Sequence, residues 1–144
     1  MRRYMLPASL ALVACPSLAL AAGATFTATL SGANEVDAQG VGNQGDADGK
    51  GSFSGRLAPA RNELCYSLNW SAIDTPTMAH IHSAAAGANG PVFIPFTELT
   101  PGEHCIAIDA AKAAALSAKP GDFYVNVHNT AYPRGAVRGQ ISTE

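Results

Sequence analysis

Phe123-Tyr-Val-Asn-Val-His128 alternates apolar and polar residues without a break. Successive side chains of an extended strand point to opposite faces, so Phe123, Val125 and Val127 form one apolar face, and Tyr124, Asn126 and His128 form the opposite, polar one. An upstream segment, Met78-Ala-His-Ile-His82, has the same parity, with Ala79 and Ile81 set against Met78, His80 and His82. If both apolar faces rest on a common core, three of the chain's four histidines stand on the outer surface or rim, where a metal ion or a partner reaches them.

Strand patterns recur on both sides of these segments. Thr25 to Leu30 alternates with Phe26, Ala28 and Leu30 on one face, and Leu64, Tyr66, Leu68 and Trp70 alternate against Cys65, Ser67 and Asn69. Gly51 to Leu57, Val92 to Phe96, His104 to Ile108 and Ala136 to Ile141 complete the set. Short strands at this spacing, joined by Gly, Asn, Asp and Pro clusters, predict an all-β fold: an antiparallel, Greek-key-like β-sandwich. Trp70, Phe26, Leu68 and Val125 are its expected core. One segment departs from the pattern. Asp109 is an N-cap candidate, a run of strong helix formers follows, and Pro120 stops it after Lys119, which predicts one short crossover helix. The Gly-rich stretch from Gly32 to Gly51 is expected to be a mobile loop or an irregular edge hairpin.

The N-terminus begins with Arg2 and Arg3 and continues as an apolar run from Tyr4 to Leu20, the pattern of a secretory signal peptide over residues 1–21, with Ala19-Leu-Ala21 as a small-x-small cleavage site. The alternative is a lipobox at Leu12-Val-Ala-Cys15, which would anchor the protein by a lipid on Cys15. Either way the expected location is periplasmic or secreted, with one domain over residues 22–144 and no transmembrane span in the mature form. Taking Arg2 and Arg3 from the nine basic residues leaves seven against eleven acidic ones, so the formal charge moves from -2 to -4. No basic stripe with interleaved aromatics suggests nucleic acid.

Cys65 and Cys105 then remain in a compartment that permits oxidation, and a disulfide between them is the natural expectation, two unpaired buried thiols being the alternative. Such a bond closes a loop of about 40 residues and contributes on the order of 3 to 4 kcal/mol by the chain-entropy estimate.

These blocks resemble the CHRD domain, first described in chordin and widespread in bacterial exported proteins. The resemblance runs through Ala28-Thr-Leu-Ser-Gly-Ala-Asn-Glu-Val36, Leu64-Cys-Tyr-Ser-Leu-Asn-Trp70, Ala79-His-Ile-His82 with Gly87-Ala-Asn-Gly-Pro91, and Gly121-Asp-Phe-Tyr-Val-Asn-Val-His128 with Pro133-Arg-Gly-Ala-Val-Arg-Gly-Gln-Ile141. Asp37 departs from it, standing where the family usually has proline. The resemblance implies an exported all-β sandwich. Chordin itself is a large extracellular protein that binds growth factors, an activity that does not carry over to a small single-domain chain. A His-x-His strand with a later strand histidine also looks like the copper-ligand arrangement of copper-zinc superoxide dismutases.

Two histidines at i and i+2 on one strand face converge on an ion when a neighbouring strand supplies a third ligand, and neutral imidazole suits copper, zinc, iron and nickel. His80, His82 and His128 are therefore the candidate metal ligands. Met78 shares their face, with a thioether suited to Cu(I), and His104 is a further candidate whose plainer role is that of a surface histidine. The plainer role for the trio is to hydrogen-bond loops and support the Gly87 to Pro91 turn. Arg134 and Arg138 either guide an anion or pair with Asp122. Asp46-Ala-Asp-Gly49 fails the calcium-loop pattern, since Gln44 and Gly55 stand where acids are required.

Three functions follow, in order. The first is an exported binding protein that holds a transition metal, copper favoured, through the histidines. The second is a cell-envelope interaction or structural module with a protein partner and no metal. The third is a superoxide dismutase-like redox enzyme, for which the sequence offers no fourth copper histidine apart from His104 and no His/Asp-rich zinc loop.

Overall fold

A computed structural model describes residues 23–144; the segment 1–21 expected to be a signal peptide, with Cys15, lies outside the described residues. The strands are β1 (Thr25–Ser31), β2 (Lys50–Ala58), β3 (Glu63–Ser71), β4 (Pro76–Ser83), β5 (Val92–Pro95), β6 (Glu103–Ala107), β7 (Phe123–Asn129), β8 (Val137–Gln140) and β9 (Ser142–Thr143), with a helix α1 (Ala110–Ala118) between β6 and β7. Every segment with alternating sequence became a strand. The pairings are antiparallel, in the order β5-β4-β7-β8-β1-β2-β3-β6, with β9 added against β1. The chain thus leaves the β1-β2-β3 half for β4 and β5, returns for β6, and crosses again through α1 to β7.

The two layers of the sandwich are halves of one continuous curled sheet rather than two separate sheets. Its inner face carries Phe26, Leu30, Phe53, Leu64, Leu68, Ile81, Val125, Val127 and Val137, all buried. The curl is closed by aromatic packing. The Phe96 ring, just after β5, stacks on Tyr66 of β3 at 4.3 Å and on Phe53 of β2 at 5.8 Å between centroids. The Tyr66 hydroxyl donates to the Glu98 carbonyl at 2.9 Å, so the one polar atom of the stack is satisfied. Phe26, Leu68 and Val125 are core residues as expected, whereas Trp70 is only half-buried and packs on the core's margin.

Helix α1 lies within the expected bounds. Asp109 caps it, its carboxylate accepting from the Lys112 N–H at 2.8 Å, and Leu116 is the residue it buries. The Gly32 to Gly51 stretch is irregular, but it is pinned: Gly45 N–H donates to Gly32 O, Gln44 N–H to Glu35 O, and Asp46 N–H to Ala136 O on the far side of β1. Backbone hydrogen bonds of this kind make it an irregular hairpin connection between the antiparallel strands β1 and β2.

Cys65 and Cys105 face each other across the β3–β6 pair and are joined, with Cα atoms 3.9 Å apart and a sequence separation of 40. The bond ties the edge strand β6 to the body of the sheet. Replacing both cysteines by serine should lower the unfolding free energy by about 3 to 4 kcal/mol, the chain-entropy value for a loop of this length, read from urea unfolding with the m-value fitted separately because the unbridged chain unfolds to a more open state. Thiol titration of the unreduced parent should find no reactive cysteine in the mature domain.

Candidate metal centre

Strand β7 is buried along its whole length. Its apolar residues face the core; its polar residues Tyr124, Asn126 and His128 face a second, smaller packed layer. Antiparallel register builds that layer as a grid. His82 stands opposite Tyr124 and His80 opposite Asn126 on the β4 side, with Met78 opposite His128; Gln140 and Arg138 of β8 stand opposite Tyr124 and Asn126 on the other. Because side chains alternate with period two, a one-residue slip of β4 would send both histidines into the apolar core.

Two loops cover the grid, so that His128 is buried while His80 and His82 stay partly exposed at its rim. The Ala84 to Pro91 loop is held down by the polar side chains themselves: Arg138 donates to Ala88 O at 2.6 Å and to the Asn89 side-chain oxygen at 3.2 Å, and Gln140 donates to Ala84 O at 2.9 Å. Asn89 then donates to the carbonyls of Val36 and Asp37, tying this loop to the one after β1. The result buries His128 to 7% exposure, Asn126 to 3% and Arg138 to 2%. Arg138, with its guanidinium 3.4 Å over the Tyr124 ring, is therefore a loop clamp and not a partner of Asp122. Arg134 stays exposed.

The three imidazoles converge. His80 Nδ1 lies 3.2 Å from His128 Nε2, the ring centroids of His80 lie 5.4 Å from His82 and 5.1 Å from His128, and each ring offers a nitrogen within 4.8 Å of the other two. Backbone carbonyls fix the tautomers of two rings. His82 Nδ1–H donates to Gly90 O at 2.9 Å and His128 Nδ1–H donates to Pro133 O at 3.1 Å, which leaves a lone pair on each Nε2. The His82 Nε2 is buried with no hydrogen-bond partner, and its ring is clamped flat on Tyr124 at 4.9 Å. In the metal-free protein one proton, on His80 Nδ1, bridges to His128 Nε2.

A ligand set of this kind binds an ion at about 2.0 to 2.1 Å from nitrogen, so two ligands of one ion sit at most about 4 Å apart. The His80–His128 pair satisfies this at 3.2 Å, and His82 offers a nitrogen within 4.8 Å of both. The side chains present thus fit a late first-row divalent ion. Met78 is 48% exposed beside His128, at the solvent edge of the cluster. His104 takes no part: on β6, at the opposite end of the strand order, its Nε2 bonds Thr100 O at 2.9 Å. The other close group of ligand-type residues, Glu63 with Cys65 and Cys105, has its sulfurs spent on the disulfide.

Sequence reasoning missed Glu35 and Asn126. Glu35 is 3% exposed, and its burial pushes its pKa up to about 7 against the partial pull of Arg138 and of the Asn126 side chain. Asn126 Oδ1 lies 3.1 Å from His128 Nε2. The alternation had placed Asn126 on the histidine face, which was the available signal; nothing in the local sequence of Glu35 marks it as buried.

Over residues 26–141 the chain matches the model of the CHRD domain family, so it belongs to that family. Among curated proteins and among solved structures nothing matches it.

Burial, and for His80 also the neighbouring His128 and His82, holds all three imidazoles below the usual histidine pKa, with His80 down at about 4. A lowered pKa means that the folded protein resists a proton that the unfolded chain accepts near pH 6.5, so the rings keep their lone pairs as pH falls through that value. Long-range nitrogen–proton NMR spectra of the metal-free protein should show His80 neutral and His82 and His128 more than half neutral at pH 6.5, the latter two as Nδ1–H tautomers, and His80 half-protonated near pH 4. Titration of all three near 6.5 would contradict the closed geometry.

Proposed function

We propose that this CHRD-domain chain is an exported binding protein that holds one transition-metal ion, copper by preference, between His80, His82 and His128. One observation carries the reading: two backbone carbonyls pin His82 and His128 in the tautomer that aims their Nε2 lone pairs inward, with the His82 nitrogen buried and unpartnered. Burying an acceptor without a partner costs about 1 to 3 kcal/mol, which an ion at that point would offset. Histidine ligands are ordinarily oriented in this way by a hydrogen bond from the far ring nitrogen.

Capture and delivery suit the site better than a permanent structural role. Beside the histidines lies a cavity of about 280 Å³, bounded by Val36, Asn89, Tyr124, Asn126 and Arg134, through which an exogenous ligand or water reaches the ion. Structural metal sites are closed, and sites that exchange or react keep an open position. Copper is preferred for the imidazole set with the Met78 thioether next to it. Export is supported by the sequence of residues 1–21 and by the Cys65–Cys105 bond, since disulfides persist in oxidising compartments.

The second reading, an envelope interaction module, is favoured by the same carbonyl contacts, because His82 and His128 brace two loops whether or not an ion is present. The dismutase-like reading finds no fourth histidine in the fold, since His104 is held by Thr100. Metal analysis and calorimetry on protein purified without a histidine tag separate these. One equivalent of Cu(II) should bind per chain, and His80→Ala should weaken it at least 100-fold with little loss of stability, because that ring is half-exposed and braces no loop. His128→Ala should also abolish binding but cost about 1 to 3 kcal/mol of stability, as it leaves the Pro133 carbonyl without its donor. A parent protein that takes up no copper, zinc or nickel would leave the interaction module in possession.

A further inference from the structure

The cavity of about 280 Å³ beside the histidines has one cation among its lining residues, and that cation is uncommitted. Arg134 is exposed and makes no side-chain hydrogen bond or ion pair among the described residues, where the ion pairs are Arg56 with Glu103 and Arg61 with Glu63. The chain places it there through a histidine. Pro133 O accepts from His128 Nδ1–H at 3.1 Å, so Arg134 starts one peptide bond from that ring, and two residues on the Ala136 N–H donates to Val127 O at 2.7 Å, which fixes the turn from its other side. The same cavity is lined by Tyr124, whose hydroxyl accepts from the Gly90 N–H at 3.4 Å and has no acceptor for its own proton among the described residues. Two donors of the lining are thus left over.

The rest of the lining sets what these donors fit. Asp37 borders the cavity too, its Oδ1 accepting from the Gln39 and Val41 N–H groups at 2.9 Å each, and Arg134 does not pair with it. A dianion such as phosphate would meet twice the repulsion from Asp37 that a monoanion meets. A guanidinium is planar, weakly hydrated and always charged, which suits it to a carboxylate. The histidine side of the cavity adds a condition. In the metal-free protein the buried, unpartnered His82 Nε2 presents a lone pair to anything that enters, which disfavours an anion. An ion held by the three imidazoles reverses that sign and, with only three protein ligands, keeps a position open for an exogenous oxygen.

We propose that this cavity is a subsite for a small monocarboxylate, whose oxygens are shared between the Arg134 guanidinium and the open position of the bound ion. The inference rests on the metal reading and names the exogenous ligand of that site. It makes ion and carboxylate partners in a linked equilibrium: each raises the affinity for the other by the same factor, and neither the arginine nor the ion alone gives the full binding.

The test uses the mature protein loaded with one equivalent of Cu(II), and sodium acetate as the probe at fixed ionic strength. Acetate should shift the visible absorption and the electron paramagnetic resonance spectrum of the copper saturably, with one acetate per ion. Arg134→Gln removes the charge at similar size and should raise the acetate dissociation constant about 10-fold, the effect of losing one hydrogen bond between charged groups. Arg56→Gln, which neutralises a cation on β2 in the other half of the sheet, should change it less than about twofold, because a distant exposed charge is screened. A second readout uses Zn(II) in place of copper: acetate should move the Arg134 Nε–H NMR signal in the zinc-loaded protein and leave it in place in the metal-free one. Copper spectra indifferent to acetate, equal losses in Arg134→Gln and Arg56→Gln, or an undiminished acetate affinity in Arg134→Gln would overturn the subsite while leaving the three-histidine site standing. Phosphate binding more tightly than acetate would overturn the carboxylate assignment. No copper or zinc uptake by the parent would overturn the subsite and the metal reading together.

Discussion

The pairing of β4 with β7 is the constraint on which the rest depends. β7 is buried on both faces, which is unusual for a strand with a polar, titratable side. A sheet strand tolerates this only if the polar face finds hydrogen bonds in place of water. Here the register sets the polar side chains side by side, and the hydrogen bonds follow: His80 and Asn126 at His128 Nε2, His128 Nδ1–H to the Pro133 carbonyl, and the Gly90 N–H to the Tyr124 hydroxyl. The apolar face then fixes the same register from the other side, through Ala79, Ile81, Val125 and Val127, so core and site cannot shift independently.

The covering loops are a consequence of that polar layer. Arg138, Gln140 and His82 have donors directed outward from the sheet, and the backbone carbonyls of Ala84, Ala88 and Gly90 accept them. A loop held by several charge-assisted or ring donors loses its freedom without needing helical or strand structure. This is how the Ala84 to Pro91 loop is held over the histidines although it has neither helix nor strand. Its Gly90 serves close approach, since an added Cβ there would lie 2.0 Å from the Ser83 carbonyl oxygen.

Alternation made the fold legible. Period-two patterns marked eight of the nine strands, the departure from them at Asp109 marked α1, and the two mature-chain cysteines marked the bond across β3 and β6. The grouping of His80, His82 and His128 was legible too, because parity fixes which face a side chain takes. What parity cannot state is what lies over that face. Exposure was misjudged for this reason, and the role of Arg138 with it: a charged residue beside glycine reads as a surface cation until the carbonyls of a loop distant in sequence are known to reach it. Trp70 failed differently, since it shares the parity of Leu68 but sits at the strand end, where the curl no longer covers it.

The blocks that carry the family resemblance are scattered along 116 residues of chain, and the fold brings most of them to one place. Asn34-Glu-Val36 contributes the buried carboxyl and the carbonyls that Asn89 grips; Ala79 to His82 and Tyr124 to His128 contribute the rings; Gly87 to Pro91 and Pro133 to Gly139 contribute the carbonyls that fix the tautomers and the arginine that fixes the loop. A purely apolar sandwich would be easier to stabilise than one that buries Glu35, Asn126, His128 and Arg138 together, because each such group must recover the hydration it loses. Polar layers that leave an acceptor unpaired at their centre are not explained by packing. In this one the unpaired acceptor is His82 Nε2, beside the His80–His128 pair, and an ion drawn to that point is a physical reason for leaving it without a partner.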